Sequence, residues 1–181
     1  MRVPVFADRT ADPDSTNLVT PVVIAFGSNL GNSLVTLQRA LAHLANTEGL
    51  RLIRRSHWYR TPPLGPPQPD YLNGCALFHT YHPPEKLLHI LLATEQHFGR
   101  TRTGKWQPRT LDLDLIFYGQ HIIHTPTLTV PHPEYHRRAF VLVPLAEIAP
   151  EWRDPRSDVT VREWMQQVDC SGIRMLEDRY S

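Results

Sequence analysis

Between Gly99 and Tyr118 the chain reads GRTRTGKWQPRTLDLDLIFY, and no other stretch restricts the fold as narrowly. Leu111, Leu113, Leu115 and Phe117 alternate there, with Asp112 and Asp114 between them. In an extended strand successive side chains point to opposite faces, so the apolar residues take one face and the two aspartates the other. At about 3.3 Å of rise per residue, the aspartate Cα atoms lie roughly 6.5–7 Å apart. Carboxylates at that spacing can converge on one hard divalent cation, or bridge two cations about 3.5–4 Å apart. Arg100, Arg102, Lys105 and Arg109 come just before the strand, in a loop that also holds Gly104, Trp106 and Pro108. A solvated acidic face with arginine partners is the commoner origin of such a pattern. A tryptophan in so polar a loop has no place in that explanation. A basic, turn-rich loop beside a metal-holding strand suits a polyphosphate carrying Mg²⁺.

The rest of the composition narrows the setting. A chain of 181 residues can bury one real core, and is short for two ordinary domains. The formal net charge of +1 sets up no global field for nucleic acid or a membrane surface. Lys86 and Lys105 are the only lysines among 19 cationic residues. Arginine's planar fork suits bidentate phosphate contacts, although genome composition also moves this ratio and is the stronger explanation. Cys75 and Cys170 fit no zinc or redox spacing, so a reducing cytoplasm is the expected location. No apolar run reaches membrane-spanning length, and the amino terminus has no signal-peptide core.

In chain order, residues 1–20 are polar and read as a flexible extension, leaving 21–181 as a single domain. Val22–Phe26 is a short buried strand ended by GSNLGN. Leu34, Leu37, Leu41 and Leu44 recur at helical spacing, with Asn32 or Ser33 as the cap, and the helix ends near Asn46–Gly49. Leu50–Tyr59 is β-like and breaks at TPPLGPPQP, where five prolines in nine residues dictate a stiff irregular loop. Tyr71–Tyr81 reads as a strand. Pro83 and Pro84 open a helix over Glu85–Phe98, with Leu88, Leu91, Leu92 and Glu95 on one face and Gly99 just past its end. A small hairpin over His121–Thr129 is expected after the Asp-bearing strand. The apolar run Ala139–Ala149, broken by Pro144, is left without an assignment, and Thr160 caps a last helix over Val161–Val168. This order predicts an α+β sandwich, a largely antiparallel sheet with helices on one face.

Five segments in matching order, FGSNLGN, YRTPPLG, QPDYLN, GRTRTGKWQPRTLDLDLIFYG and LTVPHPEYHRRAFVLVPLAEIAP, resemble the 6-hydroxymethyl-7,8-dihydropterin pyrophosphokinase family. The resemblance covers about residues 22–152. It implies a ferredoxin-like α+β sandwich with long active-site loops. It also implies transfer of the ATP pyrophosphoryl group to a pterin alcohol in folate biosynthesis. By the same resemblance Asp112 and Asp114 would hold two Mg²⁺ ions on ATP, with Arg100, Arg102 and Arg109 clamping its phosphates. Glu95, Leu115, Leu128, Thr129, His132 and Arg138 match nucleotide-binding positions. Tyr71 and Phe140 match an aromatic pair that sandwiches the pterin, and Asn73 the residue that hydrogen-bonds its polar edge. Backbone groups of Thr61, Pro62 and Leu64 would complete that edge, and Trp106 would close over it as a lid. Leu92, Pro133 and His136 depart from the pattern at positions around the nucleotide.

Other classes fare worse. A ferredoxin-like nucleic-acid module would put Tyr71 and Phe140 on bases, but Asp112 and Asp114 would repel a bare phosphate and no RNP-type aromatic motif is present. A zinc site on His121, His124, His132 and His136 has neither HExxH nor finger spacing. Small-molecule partners, no nucleic acid, no membrane and a monomer are the expectation.

Overall fold

A computed structural model describes residues 19–63, 66–100 and 108–177. Most of the expected N-terminal extension, together with Leu64, Arg102 and Trp106, lies outside the described residues. Among the described residues eight strands, four α-helices and one short 3-10 helix (Tyr135–Arg137) follow in order. They are β1 (Thr20–Ser28), α1 (Ser33–Ala45), β2 (Leu50–Arg55), β3 (Tyr59–Thr61), β4 (Tyr71–Thr80) and α2 (Pro84–His97). The second half holds β5 (Asp112–Tyr118), β6 (Ile123–His124), β7 (Thr129–Val130), α3 (Ala139–Ile148), α4 (Val161–Met165) and β8 (Arg174–Met175). The main sheet runs β5-β1-β4-β3-β8 with β2 also on β4, and each described pairing is antiparallel. The expected hairpin is the separate β6-β7 pair.

Helices cover both faces of the sheet, not one. Val22, Ile24 and Phe26 of β1 point to a layer built by α1 and α2 through Leu37, Leu41, Leu44, Leu87 and Leu91. Val23 and Ala25 point the other way, to Val141, Leu142, Leu145 and Val161 of α3 and α4. The second layer escaped the sequence reading because of Pro144. Proline cannot donate the helical bond to residue 140, and it looked like a break. Proline is accommodated inside α3 and is buried there.

Three further expectations shift. The β1–β5 register slips between Val23 and Ile24, so Ile116 has no cross-strand partner on β1. That bulge turns Ile116 and Phe117 both onto the α3 side, and Phe117 leaves the face of Leu111, Leu113 and Leu115. The buried residues of α2 are Leu87, Leu91, Thr94 and Glu95, so its inward face is rotated from the Leu88–Leu92 stripe. Leu50–Tyr59 is two strands: the ladder to β4 stops at Arg55 and resumes at Tyr59, and between them the Ser56 hydroxyl takes the place of a backbone acceptor for the Cys75 amide. The α1 cap falls on Asn32, whose side chain accepts from the Val35 amide. Thr160 caps α4 in a reciprocal box with Glu163, and the helix closes at Met165. Among the described residues no helix is long and apolar enough to cross a membrane.

Candidate active site

Alternation along β4 and along the edge strand β5 sends Tyr71, Asn73, Asp112 and Asp114 to the α3 side of the sheet. Asn73 and Asp112 are the register partners of Gly27 on either side. A Cβ at Gly27 would stand 3.0 Å from Asn73 Oδ1, 3.8 Å from Asp112 Cβ and 3.9 Å from Tyr71 Cδ1. Glycine is thus what lets the expected ring-binding and metal-binding side chains meet over one strand. Asn73 Nδ2 donates to Thr61 Oγ1 at 2.7 Å, which fixes the amide and leaves Oδ1 as the acceptor beside Gly27. Phe140 enters from the first turn of α3, with the Arg138 guanidinium 5.8 Å from its ring centroid.

The charges form one chain across the end of β5. Glu95 on α2 is only 2% exposed and continues the buried face of the helix. Its Oε1 accepts from the Leu113 amide at 2.8 Å and pairs with Arg100. Burial pushes its carboxyl up to about 7, against the pull of that amide and of Arg100. Arg100 Nη1 also reaches Asp112 Oδ1 at 2.7 Å, and Arg109 Nη1 reaches Asp112 Oδ2 at 2.6 Å. Asp114 has a weaker partner, Arg138 at 3.9 Å. Burial first, and then the charge of Asp112, hold its carboxyl above the usual range. An acid pushed up by a neighbouring acid is relieved by a cation between them. Asp112 and Asp114 stand as a pair of carboxylates on one face of β5, and among the described residues no group of three or more His, Cys, Asp or Glu side chains is placed to hold a metal. That fits Mg²⁺, which keeps several waters and takes one or two protein carboxylates beside substrate phosphates.

Asn29, in the GSN turn after β1, carries a role that the sequence did not reveal. It is 4% exposed. Its Oδ1 accepts from the Arg109 amide at 2.8 Å, while its own amide and that of Leu30 donate to the Arg109 carbonyl at 3.0 and 3.2 Å. Its Nδ2 donates to Gln68 Oε1 at 2.9 Å and to the Pro69 carbonyl at 3.1 Å. One side chain therefore ties the proline-rich loop to the arginine that precedes β5. The signal available was the asparagine in a turn motif, but a partner 80 residues away leaves no local trace.

His132 follows the Val130–Pro131 bond, and its amide donates to the Ile116 carbonyl at 3.0 Å. The Glu134 amide donates to His132 Nδ1 at 3.2 Å, so the ring proton resides on Nε2. Burial, and then the Arg138 charge, lower its pKa from 6.5 to about 4. The ring is a neutral Nε2–H donor. The remaining expected site residues are dispersed. Leu115 and Leu128 are buried within the α1/α2 core, and Thr129 Oγ1 lies 3.3 Å from His124 Nδ1. Pro62 is exposed at the start of the proline-rich loop, Leu92 is half-buried and Pro133 exposed. His136 packs on Trp164 with ring centroids 5.0 Å apart.

A model of the 7,8-dihydro-6-hydroxymethylpterin-pyrophosphokinase family matches residues 23–150. The 2-amino-4-hydroxy-6-hydroxymethyldihydropteridine pyrophosphokinase of Synechocystis sp. is 53% identical over 151 residues, 83% of this chain and 77% of that protein. The protein of the same name in Methylorubrum extorquens is 40% identical over 160 residues, 88% of this chain and all of that one. The chain belongs to this family. The crystal structure of wild-type Plasmodium falciparum HPPK-DHPS with pteroate superposes with a TM-score of 0.69 at 14% identity, over 83% of this chain and 42% of that chain. At that identity the likeness shows the fold alone, and the chain spans less than half the length of that structure.

The His132 environment makes a direct prediction. Long-range ¹H–¹⁵N spectra should show a neutral Nε2–H imidazole still unprotonated at pH 5.5. Because the folded pKa lies below 6.5, the folded state binds fewer protons than the unfolded one, and this contribution to stability fades as pH falls from about 6.5 toward 4. A titration midpoint near 6.5 would refute the burial that keeps the ring neutral.

Proposed function

We propose that the chain transfers the pyrophosphoryl group of ATP to 6-hydroxymethyl-7,8-dihydropterin, giving the pterin diphosphate and AMP in folate biosynthesis. The observation that carries this reading is the meeting at Gly27 of Asn73 and Tyr71 with Asp112. One strand position thereby joins an aromatic, hydrogen-bonding pocket to a phosphate-handling charge array. Tyr71 and Phe140 would bracket the ring, and the Asn73 amide, braced by Thr61, would read its polar edge, aided by backbone groups of Thr61, Pro62 and Leu64. The new bond joins the pterin hydroxymethyl oxygen to the β-phosphorus. The bond from that phosphorus to the α–β bridging oxygen breaks, AMP keeps the bridging oxygen, and the hydroxyl proton leaves to solvent.

Two Mg²⁺ ions would be held by Asp112 and Asp114, and when bound they neutralise phosphate charge. The protein's own work is positioning. Arg100 and Arg109 converge on one carboxylate, which supports their proposed role as clamps on phosphate oxygens bound beside it. Glu95 fixes Arg100 from below, and Asn29 fixes the Arg109 backbone. His132 would donate Nε2–H, and Arg138 a charge, to the nucleotide phosphates, with Glu95, Arg102, Leu115, Leu128 and Thr129 completing its site. Trp106 would close over the pterin. Phosphoryl-type transfer asks little covalent chemistry of a protein, so held charges account for the rate.

A nucleic-acid-binding role is the weaker reading, because Asp112 and Asp114 face the same surface as Tyr71 and would repel a phosphodiester backbone. A single domain over residues 21–181, acting as a cytoplasmic monomer, is part of the proposal. Two free thiols, Cys75 and Cys170, are compatible with a reducing compartment.

Incubation with MgATP and the pterin alcohol should yield AMP and pterin diphosphate in equal amounts by ³¹P NMR. Release of ADP, or AMP formation independent of the pterin, would sink the assignment. Arg109→Ala should lower turnover by roughly 10³-fold, the scale of a lost arginine finger. Circular dichroism should show its fold and melting intact. Near-wild-type turnover in that folded variant would remove Arg109 from the mechanism.

A further inference from the structure

Beyond residue 150, where the family match ends, the chain returns to the nucleotide side of the site. Asp154 is 2% exposed and Tyr135 fully buried. The Tyr135 hydroxyl donates to Asp154 Oδ2 at 2.9 Å. Arg156 grips the same carboxylate three times: its amide to Oδ1 at 2.8 Å, Nε to Oδ1 at 3.1 Å and Nη2 to Oδ2 at 2.8 Å. Its Nη1 also faces the Pro131 carbonyl at 3.5 Å, and its guanidinium lies 5.8 Å from the Tyr135 ring centroid. Four donated hydrogen bonds satisfy the carboxylate completely, as a buried charge requires.

Such a group is an expensive way to fill space. Replacing a buried ion pair by apolar side chains is often neutral or stabilising, so burial alone does not account for it. Its effect is to set the height and rotation of the Tyr135 ring, which packs edge-on to Phe117 of β5 with centroids 4.9 Å apart. Tyr135 is also the residue whose backbone joins the two nucleotide candidates. Its amide donates to the His132 carbonyl at 3.3 Å, and its carbonyl accepts from the Arg138 amide at 3.1 Å.

We infer that Tyr135, Asp154 and Arg156 form a buried clamp that positions His132 and Arg138 for the ATP phosphates. None of the three touches substrate. They are positioning residues that act through the backbone of residues 131–138. The clamp sets the distance of Arg138 from Asp114, now 3.9 Å, and the direction of the His132 Nε2–H. Its hydrogen bonds run among Tyr135, Pro131, Asp154 and Arg156 and none reaches Thr61, Tyr71 or Asn73, so its effect falls on the nucleotide more than on the pterin, which it approaches only where Arg138 lies over Phe140.

Because this rests on the nucleotide role proposed for His132 and Arg138, the test reads position and binding separately. Asp154→Asn and the milder Tyr135→Phe and Arg156→Ala would be compared with the unaltered protein. The readouts are the His132 ring and Arg138 Nε NMR signals of the protein alone, and KM for MgATP and for the pterin. The clamp predicts shifted His132 and Arg138 signals, KM for MgATP raised roughly tenfold, the scale of one lost charge-assisted hydrogen bond, and KM for the pterin within twofold. Loss of melting temperature with both signals and both KM values unchanged would reduce the triad to a structural ion pair and overturn the inference. Shifted signals with unchanged KM for MgATP would uphold the clamp and overturn the nucleotide reading it serves. Tyr135→Phe removes a single hydroxyl, so the test stands even if Asp154→Asn does not fold.

Discussion

Asp112 accepts from Arg100 and Arg109 at once, at 2.7 and 2.6 Å, and much of the structure exists to hold those three groups in register. From α2, Glu95 holds Arg100 and at the same time fixes the Leu113 amide beside Asp112. From the turn after β1, Asn29 holds the backbone of Arg109 on both its amide and its carbonyl. Strand pairing then places Asp112 next to Gly27 and Asn73. Two unlike helical layers are needed for this. The α1/α2 layer supplies the buried acid behind the strand. The α3/α4 layer packs on the opposite face, the side to which Ala25 and Cys75 point.

Under the proposed function the same arrangement would let two chemically dissimilar substrates meet. A flat heterocycle wants aromatic faces and a matched polar edge, which Tyr71, Phe140 and Asn73 would supply from β4 and α3. A polyphosphate wants fixed cations and metal-holding carboxylates, which would come from the end of α2 and from β5. Gly27 separates the two halves by a single strand, and the bare backbone there keeps them in contact. His132, neutral and offering Nε2–H, adds a donor whose charge does not change across the physiological range.

Much of this was legible in the chain because it is written in local pattern. Alternation around Asp112 and Asp114 gave β5 and its acidic face, leucine spacing gave α1, and Thr160 gave α4. The failures share a cause, since each depends on something remote in sequence. Phe117 changed face because β1 and β5 slip by one residue, which no single strand can disclose. Glu95 continues an apolar helical face, and its partners Arg100 and Leu113, which make that burial tolerable, are not visible in the helix itself. Ala139–Ile148 was passed over as a helix on account of Pro144, although tertiary packing on β4 outweighs one missing bond. Asn29 and the Tyr135–Asp154–Arg156 cluster left no local signature, because hydrogen-bond partners become visible only once the chain is folded.

If Asp112 and Asp114 are the platform for the phosphates, then metal, nucleotide and these two side chains must bind as one unit. Titration of Mn²⁺ followed by electron paramagnetic resonance, with a non-hydrolysable ATP analogue present, measures this directly. Two Mn²⁺ ions should bind per chain, and Asp112→Asn and Asp114→Asn should each weaken that binding while the protein remains folded. Equal stoichiometry and affinity in the unaltered protein and in both variants would contradict the account.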